Sequence, residues 1–315
     1  MPSAATEEAF AVRAMLERIG LATADQRVRL AALTGGYRNR VYRLQRDGES
    51  DAVVKIFTTA PENPMFPTLP DHEAAALALL SGRSIAPEPI TATVDPVLGH
   101  VLIYTMVAGE PWSAGATAVG RLLRRVHDVA VTEGGFSFRR LLVAPDDVAA
   151  HANAMLADVD ETTAARITKL VKAARRRVRS DPQESCLVHT DPGPGNMIVD
   201  ADDVRLIDWQ CPGLGDPVED LAAFVSPAIQ LLYEHQPLRQ DEVTDMLSGY
   251  TSEPERAVAI DRAVERFLTK GVLFRARTAA YCASRAVSLA AADPPVADRY
   301  RRALGAELDA LEEVT

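Results

Sequence analysis

The sequence predicts an α+β protein in two parts, an antiparallel β-rich part followed by a mainly helical part. Three observations predict this division. Before residue 106, apolar and polar residues alternate in short runs, as they do in strands that bury one face. After residue 113, apolar residues recur at helical spacing in longer segments. The sequence Val-Ala-Gly-Glu-Pro at residues 107–111 interrupts both patterns, so we expect domains at residues 1–106 and 107–315.

In the first part, two turn signals and one proline-rich stretch separate the predicted elements. Residues 34–39, Thr-Gly-Gly-Tyr-Arg-Asn, and the pair Asp47-Gly48 favour turns between neighbouring antiparallel strands. Four prolines within residues 60–70 exclude a regular element there. We expect helices at residues 6–19 and 71–80 and strands at residues 28–32, 41–44, 52–57, 90–94 and 100–106.

The helical pattern of the second part is interrupted once, at residues 186–208. Residues 187–188 form a short apolar run, and the apolar runs at residues 197–199 and 204–207 predict two short strands. Because the polar residues 200–203 separate the last two runs, these two strands can form a hairpin. Helices are expected at about residues 115–130, 146–158, 161–179, 217–232, 239–249, 255–292 and 296–313.

The charge balance argues against partners that carry a phosphate backbone. The chain has 34 basic and 44 acidic residues, a formal net charge of −10. A uniformly acidic protein repels nucleic acids and anionic membrane surfaces and mildly favours a cationic ligand. We therefore expect no nucleic-acid partner and no membrane association.

Cysteine usage and the N-terminal sequence predict a cytoplasmic protein. The three cysteines are widely spaced and form no CxxC motif, so neither a disulfide framework nor a zinc site is expected. The first ten residues, MPSAATEEAF, lack the apolar core of a secretory signal. No run of about 18 apolar residues predicts a transmembrane helix.

A cluster of polar residues in an apolar frame occupies residues 187–199, LVHTDPGPGNMIV. Prolines and glycines at residues 192–195 predict a rigid loop that fixes Asp191 relative to Asn196. If the two strands that follow form a hairpin, Asn196 and Asp208 lie side by side at its ends. An amide oxygen and a carboxylate suit Mg²⁺ when phosphates supply the remaining ligands, and a second carboxylate nearby can orient or deprotonate a hydroxyl.

This spacing, HxDxxxxN followed by an apolar strand and an aspartate, resembles the catalytic and metal motifs of the protein-kinase-like superfamily. More narrowly, the sequence from His189 to Trp209 and the segment at residues 215–222 (GDPVEDLA) are similar to the aminoglycoside phosphotransferase and choline kinase family. The order of the motifs fits over about residues 28–225.

The resemblance implies a bilobal protein-kinase-like fold, with an antiparallel β N-lobe and a mainly α-helical C-lobe. It implies an enzyme that transfers phosphate from ATP to a hydroxyl of a small molecule, with Mg²⁺ on the nucleotide. Asp191 would then orient, and can deprotonate, the acceptor hydroxyl. Asn196 and Asp208 would hold the metal ion. No oligomeric state follows from the resemblance.

Lys55 lies in an apolar strand, Val-Val-Lys-Ile-Phe, and is one of only four lysines in the chain. Taken alone, such a lysine is most often an edge residue whose amine reaches water. In the family that the chain resembles, a strand lysine binds the α- and β-phosphates and pairs with a helix glutamate, which implies Lys55 and Glu73 here. Glu73 also lies in the first turn of its predicted helix, where an acid interacts favourably with the helix dipole.

Two backbone segments complete the implied nucleotide site. Gly35, Gly36 and Asn39 belong to a turn in which free N–H groups can cover phosphates, although a glycine pair also occurs in ordinary hairpins. The Walker A motif is absent from the sequence. The adenine contacts that the resemblance implies are the carbonyl of Thr105 and the N–H of Val107.

The chain departs from the family pattern at three places. The family has glycine at the position of Thr190, and because a β-branched residue disfavours positive φ, we expect the backbone there to avoid the left-handed region. Trp209 and Gln210 replace the Phe-Gly or Leu-Gly that follows the metal aspartate, which is closer to choline-kinase-like members. An Ala-Pro-Glu motif and an arginine before Asp191 are both missing from the sequence, which argues against a protein kinase.

Residues near the metal motif have structural explanations as well. Asp216 and Glu219 are expected to form a capping box at a helix start, whereas Asp220 is a candidate to tie that helix to the catalytic loop. His127 is expected to pack in the core. Six acids follow the metal motif and would favour a cationic acceptor if they line the cleft. They are Glu219, Asp220, Glu234, Asp241, Glu242 and Asp245.

The sequence leaves the acceptor open. An aminoglycoside, an amino alcohol such as choline, and a neutral metabolite such as a sugar all fit the motifs. A nucleotide-binding pseudokinase that acts as an interaction module is the alternative from another functional class, and a protein serine/threonine kinase is a third.

Overall fold

The computed structural model describes residues 4–33, 39–58, 63–131, 137–178, 185–201, 203–252 and 257–315. Gly35 and Gly36, the two predicted phosphate-covering glycines, lie outside these ranges. The first part of the chain forms a five-stranded antiparallel sheet. Its strands are β1 (Val28–Ala32), β2 (Arg40–Arg46), β3 (Ala52–Ile56), β4 (Pro89–Asp95) and β5 (Gly99–Thr105), and its helices are α1 (Ala4–Arg18) and α2 (Pro70–Leu80).

The strand order is β1-β2-β3-β5-β4, so β5 rather than β4 lies beside β3. Burial explains this order. Every residue of β3 is buried, as are residues 101–104 of β5, whereas β4 alternates between exposed and half-buried positions over most of its length. The two strands without a polar face therefore take the interior of the sheet, and the amphipathic strand takes its edge.

Each face of the sheet is covered by one helix. Leu16 of α1 and Val54 of β3 share a buried cluster on one face, and Leu77 of α2 and Val53 share another on the opposite face. Because successive strand residues point to opposite faces, Lys55 points to the same side as Val53, where α2 lies.

The second part of the chain is mainly helical. The helix α9 packs against α4, α5, α6 and α10 in this part. The helices are α3 (Ala116–His127), α4 (Pro145–Ala154), α5 (Glu161–Arg177), α6 (Pro217–Val225), α7 (Pro227–Leu232), α8 (Gln240–Thr251), α9 (Ala257–Ser288) and α10 (Pro294–Glu312).

The single helix predicted over residues 217–232 is wrong, because the chain forms two helices there. Pro227 has no N–H to continue the hydrogen-bond ladder of α6. Ser226 ends α6 and caps α7, with its hydroxyl accepting from the Ile229 N–H at 3.2 Å. The break turns the chain so that the end of α7 reaches the loop at residues 192–196.

The helical part also contains short strands, which form two three-stranded sheets. The strands are β6 (Glu110–Pro111), β7 (Arg139–Arg140), β8 (Cys186–Val188), β9 (Met197–Asp200), β10 (Asp203–Leu206) and β11 (Gly213–Gly215). The strand orders of the two sheets are β10-β9-β6 and β7-β11-β8. The hairpin of β9 and β10 forms as predicted, with Leu206 opposite Met197. The strands β6, β7, β8 and β11 were not predicted, because two or three residues are too few to show an alternating pattern.

The proline-rich segment before α2 contacts the helical part. Phe66 is buried in a cluster formed by α4, α5, α9 and α10, and Asn63 Nδ2 donates to the Tyr281 hydroxyl at 2.8 Å. The Leu69 N–H donates to the Gln210 carbonyl at 2.9 Å. These contacts fix the entry of α2 relative to the helical part, although the described residues 63–69 form no helix or strand.

The architecture confirms the α+β class predicted from the sequence, with an antiparallel β part before a mainly helical one. Among the described residues, helices of the length and apolar character that a membrane crossing requires are absent.

Candidate active site

The loop between β8 and β9 holds the residues of the HxDxxxxN motif. His189 is fully buried, and its ring lies 4.5 Å from that of Trp209 in an edge-to-face arrangement. Its Nδ1 accepts from the Asp191 N–H at 3.3 Å, so its Nε2 carries the proton donated to the Ile207 carbonyl at 3.0 Å. Burial lowers the pKa of His189, which keeps the ring neutral. The histidine therefore joins the loop to the strand that precedes Asp208.

Asp220 of α6 binds the backbone of the same loop. Its carboxylate accepts from the backbone N–H groups of His189 and Thr190, each at 2.8 Å, and faces His127 Nε2 at 3.1 Å. His127 is buried and also contacts the Tyr250 hydroxyl at 2.9 Å. Asp220 thus ties its helix to the catalytic loop, which the sequence had left as a possibility.

The expectation for Thr190 is wrong, because its φ is +74° and lies in the left-handed region. Two interactions oppose the steric cost for a β-branched residue. The Thr190 N–H is held by Asp220, and its Oγ1 donates to the Cys211 carbonyl at 3.0 Å. Glycine would adopt this conformation more readily. In this chain, the hydrogen bonds of Thr190 to Cys211 and Asp220 stabilise the left-handed backbone that glycine adopts without steric cost.

The hairpin brings Asn196 and Asp208 to the same end, as the spacing predicts. The Ile207 N–H donates to the Asn196 carbonyl at 2.9 Å, which extends the ladder by one residue pair. Asp208 follows directly, with φ of +60°. This turn carries the Asp208 carboxylate away from the strand direction, and a third of its side chain is exposed.

The side chain of Asn196 is oriented by its hydrogen bonds. Its Nδ2 donates to the Asp191 carbonyl at 2.9 Å and to the Tyr233 hydroxyl at 2.8 Å. Because the Asp191 carbonyl can only accept, the atom facing it is nitrogen. The Asn196 oxygen is therefore left for a cation.

The donor set at the hairpin end fits Mg²⁺ rather than a metal that needs a full protein cage. It offers one amide oxygen, from Asn196, and one carboxylate, from Asp208. In the described part of the chain, groups of three or more His, Cys, Asp or Glu side chains that could enclose a metal are absent. Mg²⁺ binds with few protein ligands when phosphates and waters fill the remaining positions.

Lys55 lies between two carboxylates and is not an edge residue. Its Nζ is 2.5 Å from Glu73 Oε2 and 2.5 Å from Asp208 Oδ1, and only 3% of its side chain is exposed. Burial alone would lower the pKa of Lys55, but the carboxylates of Asp208 and Glu73 raise it above its usual range. Burial also raises the pKa of Glu73 to about 7, against the opposing effect of the Lys55 ammonium. The lysine is therefore charged, desolvated and aimed at the end of the hairpin that carries Asp208.

Asn39 and Gln210 connect the five-stranded sheet to the segment that follows Asp208. Asn39, just before β2, donates from Nδ2 to Gln210 Oε1 at 3.1 Å. Gln210 also accepts the Leu69 N–H through its carbonyl. The glutamine that departs from the family pattern therefore joins the start of β2 and the segment before α2 to the residues after Asp208.

The predicted hinge residues, Thr105 and Val107, lie at the end of β5 and just after it. The Thr105 N–H donates to the Glu88 carbonyl at 2.9 Å, and its hydroxyl accepts from the Glu88 N–H at 3.0 Å. Val107 is half-buried. Within the described ranges, its N–H has no hydrogen-bond partner, as an N–H that binds a ligand requires.

Tyr233 is a site residue that sequence reasoning missed. It follows α7, and its hydroxyl donates to Asp191 Oδ2 at 2.8 Å. Burial, with the Asp191 carboxylate, raises the pKa of Tyr233, so the hydroxyl keeps its proton. A Cβ atom at Gly193 or Gly195 would lie 2.1 or 2.4 Å from the Tyr233 ring. The two glycines were the only signal in the sequence, and they do not reveal what they accommodate.

Most of the six acids that follow the metal motif are engaged in structural contacts. Glu219 pairs with Arg277 rather than completing a capping box, whereas Asp216 does cap α6 through the Val218 N–H at 3.0 Å. Asp220 accepts from the backbone of residues 189 and 190. The remaining four acids form ion pairs or are exposed. Glu234 pairs with Arg299 at 3.2 Å, Asp241 and Glu242 pair with Arg239, and Asp245 is exposed.

Comparison with known proteins places this geometry in a family. A family model described as the phosphotransferase enzyme family matches residues 29–257. A search of curated proteins found no match.

Solved structures that resemble the chain include proteins named as kinases of small molecules. An ethanolamine kinase of Plasmodium vivax aligns with a TM-score of 0.70 at 11% identity, over 100% of this chain and 92% of that one. A choline/ethanolamine kinase family protein from Mesorhizobium loti aligns at 0.61 and 21% identity, over 98% and 99%. A spectinomycin phosphotransferase, solved with ADP and spectinomycin, aligns at 0.62 and 13% identity, over 96% and 98%. These likenesses confirm the predicted bilobal protein-kinase-like fold.

Proposed function

Because the chain belongs to the phosphotransferase enzyme family, we propose that it transfers the γ-phosphoryl group of ATP to a hydroxyl of a small molecule. The observation that carries the proposal is the convergence of five polar side chains at one end of the β9–β10 hairpin. Lys55, Glu73 and Asp208 form a chain of 2.5 Å contacts, and Asn196 and Asp191 are joined by a hydrogen bond on the adjoining loop.

The first role concerns the nucleotide phosphates. Lys55, positioned by Glu73, binds the α- and β-phosphates, and Asn39 lies at the start of the strand that faces them. Asn196 and Asp208 hold Mg²⁺, which when bound neutralises charge on the phosphates during transfer. The Lys55–Asp208 contact keeps the ammonium close to where the metal and the phosphates meet.

The second role concerns the acceptor. Asp191 orients the acceptor hydroxyl and takes its proton as the new O–P bond forms. The transition state of phosphoryl transfer is loose, so positioning and charge neutralisation carry most of the catalysis. The burial of His189 and the two N–H bonds to Asp220 support this role, because they fix the backbone that carries the Asp191 carboxylate.

The third role concerns the base of the nucleotide. The Thr105 carbonyl and the Val107 N–H bind adenine at the boundary between the lobes, which we place at residue 106. Gly35 and Gly36, which lie outside the described residues, are proposed to cover the phosphates with their N–H groups. The half-buried position of Val107 and its N–H without a partner in the described residues support the hinge assignment.

We propose a cationic acceptor, such as an amino alcohol or an aminoglycoside. The net charge of −10 supports this class, and the similar structures include proteins named ethanolamine kinase, choline/ethanolamine kinase family protein and spectinomycin phosphotransferase. The six acids after the metal motif do not add to this support, because most of them are paired or cap helices.

A pseudokinase is the competing function. It is disfavoured because Lys55, Glu73, Asp191, Asn196 and Asp208 are all present and lie in one connected site.

One experiment separates these functions. The protein is incubated with ATP, Mg²⁺ and a panel of choline, ethanolamine, aminoglycosides and neutral sugars, and ADP and phosphorylated acceptor are both measured. We expect acceptor-dependent ADP formation that is lost in Asp191→Asn. MgATP binding without turnover on any acceptor would favour the pseudokinase.

The panel also tests the charge of the acceptor. For a cationic acceptor, KM should rise with salt, because exposed charges are screened over about 8–10 Å at 0.1–0.15 M. Turnover confined to neutral sugars, with a KM that is independent of salt, would overturn the cationic acceptor and leave the kinase assignment intact.

A further inference from the structure

The Tyr233 hydroxyl joins the catalytic carboxylate to the metal-binding carboxamide. It contacts Asp191 Oδ2 and Asn196 Nδ2, each at 2.8 Å. The direction of both bonds follows from the groups involved. The Asn196 nitrogen can only donate, and a tyrosine hydroxyl has a single proton. That proton is therefore given to Asp191, and the relay runs from Asn196 through Tyr233 to Asp191.

This relay fixes the orientation of two side chains at once. The amide of Asn196 has to present its nitrogen to the hydroxyl, so its oxygen is the atom left for a cation. The bond to Oδ2 limits rotation of the Asp191 carboxylate, which otherwise turns about its Cβ–Cγ bond. The hydroxyl is the second of two groups that fix the Asn196 amide, since the Asp191 carbonyl also accepts from Nδ2 at 2.9 Å, and it accounts for the bond to Asp191 Oδ2.

The tyrosine itself is held rigidly. It follows α7, where its N–H donates to the Ile229 carbonyl at 3.2 Å, and its ring fills the space that glycine leaves at positions 193 and 195. Because a side chain at either glycine would collide with the ring, the catalytic loop is shaped to receive it. A hydroxyl on such a support holds its partners with little loss of entropy.

We propose that Tyr233 is a positioning residue that sets the relation between Asp191 and Asn196, an inference that rests on the proposed function of this site. The residue acts through its two partners rather than on substrate. It deepens the assignment of the site by adding a third member to the loop, from a helix outside the motif.

The test is Tyr233→Phe, which keeps the ring and removes the hydroxyl. We expect kcat to fall about 10- to 100-fold, the usual effect of losing a group that orients a ligand or a base. The acceptor KM should change less than about threefold, because the acceptor does not contact the hydroxyl. The affinity for Mn²⁺, used as a probe in the presence of ADP, should fall as well, because Asn196 loses one of the two hydrogen bonds that orient its amide.

Tyr42→Phe is the matched control. Tyr42 lies on β2 and also donates to a carboxylate at 2.8 Å, that of Glu8. Its loss should leave kcat and Mn²⁺ affinity unchanged. A double variant tests the route of the effect. In the Asp191→Asn background, Tyr233→Phe should lower the residual kcat by less than it lowers that of the parent, because the part of the effect that acts through Asp191 is already lost.

Three outcomes overturn the inference. They are a kcat for Tyr233→Phe within twofold of the parent, a full additional loss in the Asp191→Asn background, and a rise in kcat with a lower acceptor KM. The last would mean that the hydroxyl occupies the place of the acceptor. If Tyr233→Phe does not fold, Gly195→Ala replaces it, since it retains the hydroxyl but displaces the ring; a kcat equal to that of the parent then refutes the inference.

The binding measurement separates this inference from the proposed function. If no acceptor is phosphorylated but Tyr233→Phe weakens Mn²⁺ binding in the presence of ADP, the proposed activity fails and the positioning role stands. If acceptors are phosphorylated equally well by Tyr233→Phe and the parent, the activity stands and the positioning role fails.

Discussion

The carboxylate of Asp220 holds Thr190 in a left-handed conformation. The Thr190 N–H donates to Asp220 Oδ1 at 2.8 Å, and φ at Thr190 is +74°. The neighbouring His189 N–H donates to Oδ2 of the same carboxylate, also at 2.8 Å. Two consecutive N–H groups that point to one buried anion define the backbone just before Asp191. The geometry of Asp191, the proposed catalytic residue, therefore depends on α6, a helix that begins 26 residues after it, at Pro217.

Asp220→Ala should lower both stability and activity. Removing one partner of a buried, hydrogen-bonded charge costs about 3–5 kcal/mol in free energy of unfolding, because two backbone donors and His127 lose their acceptor together. We also expect a large loss of kcat. Urea unfolding and steady-state kinetics measure the two effects. Asp241→Asn, at a largely exposed acid in α8, is the control; equal stability of the two variants would contradict this role for Asp220.

Substitutions at Thr190 should rank by what they do to its hydroxyl and to its φ. Thr190→Val keeps the branched shape but leaves the Cys211 carbonyl without its donor, so the free energy of unfolding should fall by about 1–3 kcal/mol. Thr190→Gly loses the same bond but removes a left-handed cost of roughly 1–2 kcal/mol. Denaturant unfolding should therefore place the glycine variant above the valine variant. The opposite order would mean that φ at this position is not strained.

The sequence predicts those parts of the site whose geometry is set by near neighbours. A hairpin of two short strands is enough to place Asn196 beside Asp208, since the register of the ladder fixes their separation. The position of Lys55 in an apolar strand, taken alone, favoured an edge residue, and only the family resemblance implied its pairing with Glu73. Roles for the nucleotide and the acceptor came only from family resemblance, and they stay predictions.

Contacts between distant segments could not be predicted. The φ of Thr190 depends on Asp220, which lies 30 residues further along the chain, and local propensity alone gave the wrong answer. Tyr233 is 42 residues from Asp191, and no pattern in α7 distinguishes it from a core tyrosine. Phe66 looks like a loop residue but is buried among helices of the other part. In each case tertiary packing overrides what the neighbouring residues favour.

Asp191→Asn should abolish turnover and preserve nucleotide binding. The substitution keeps the size of the side chain but removes the base and the charge that orients the hydroxyl, which costs about 10²–10⁴-fold in kcat. Calorimetry should find MgATP affinity close to that of the parent, since Asp191 contributes only its backbone carbonyl to the Asn196 side chain. A variant that retains near-parental kcat would remove Asp191 from the mechanism.

Asp208→Ala should have the opposite profile. It removes the only carboxylate among the two proposed metal ligands and one of the two anions that contact Lys55. We expect Mg²⁺-dependent binding of ATP to be lost in calorimetry, while the fold persists because a third of the Asp208 side chain is already exposed. Glu312→Ala, at a carboxylate of α10 that pairs with Arg166, serves as the control. Unchanged Mg²⁺ dependence would exclude Asp208 as a ligand.

The neutral, buried His189 should make the protein less stable in mild acid. In the unfolded chain a histidine titrates near 6.5, whereas burial lowers the pKa of His189 in the folded protein. Below pH 6.5 the unfolded state therefore binds a proton that the folded state does not, and the free energy of unfolding falls as the pH falls. The slope approaches about 1.4 kcal/mol per pH unit for one proton. Urea unfolding between pH 5 and 8 should find a steeper decline in the free energy of unfolding for the parent than for His189→Asn.

Two further variants serve as comparisons. Burial, and then Arg277, also lower the pKa of His151, so His151→Asn measures that separate contribution. His100→Asn, at a half-exposed side chain, is the control. Identical slopes for the parent and His189→Asn would show that His189 is already protonated in the folded protein, and would contradict the hydrogen bond that it accepts from the Asp191 N–H.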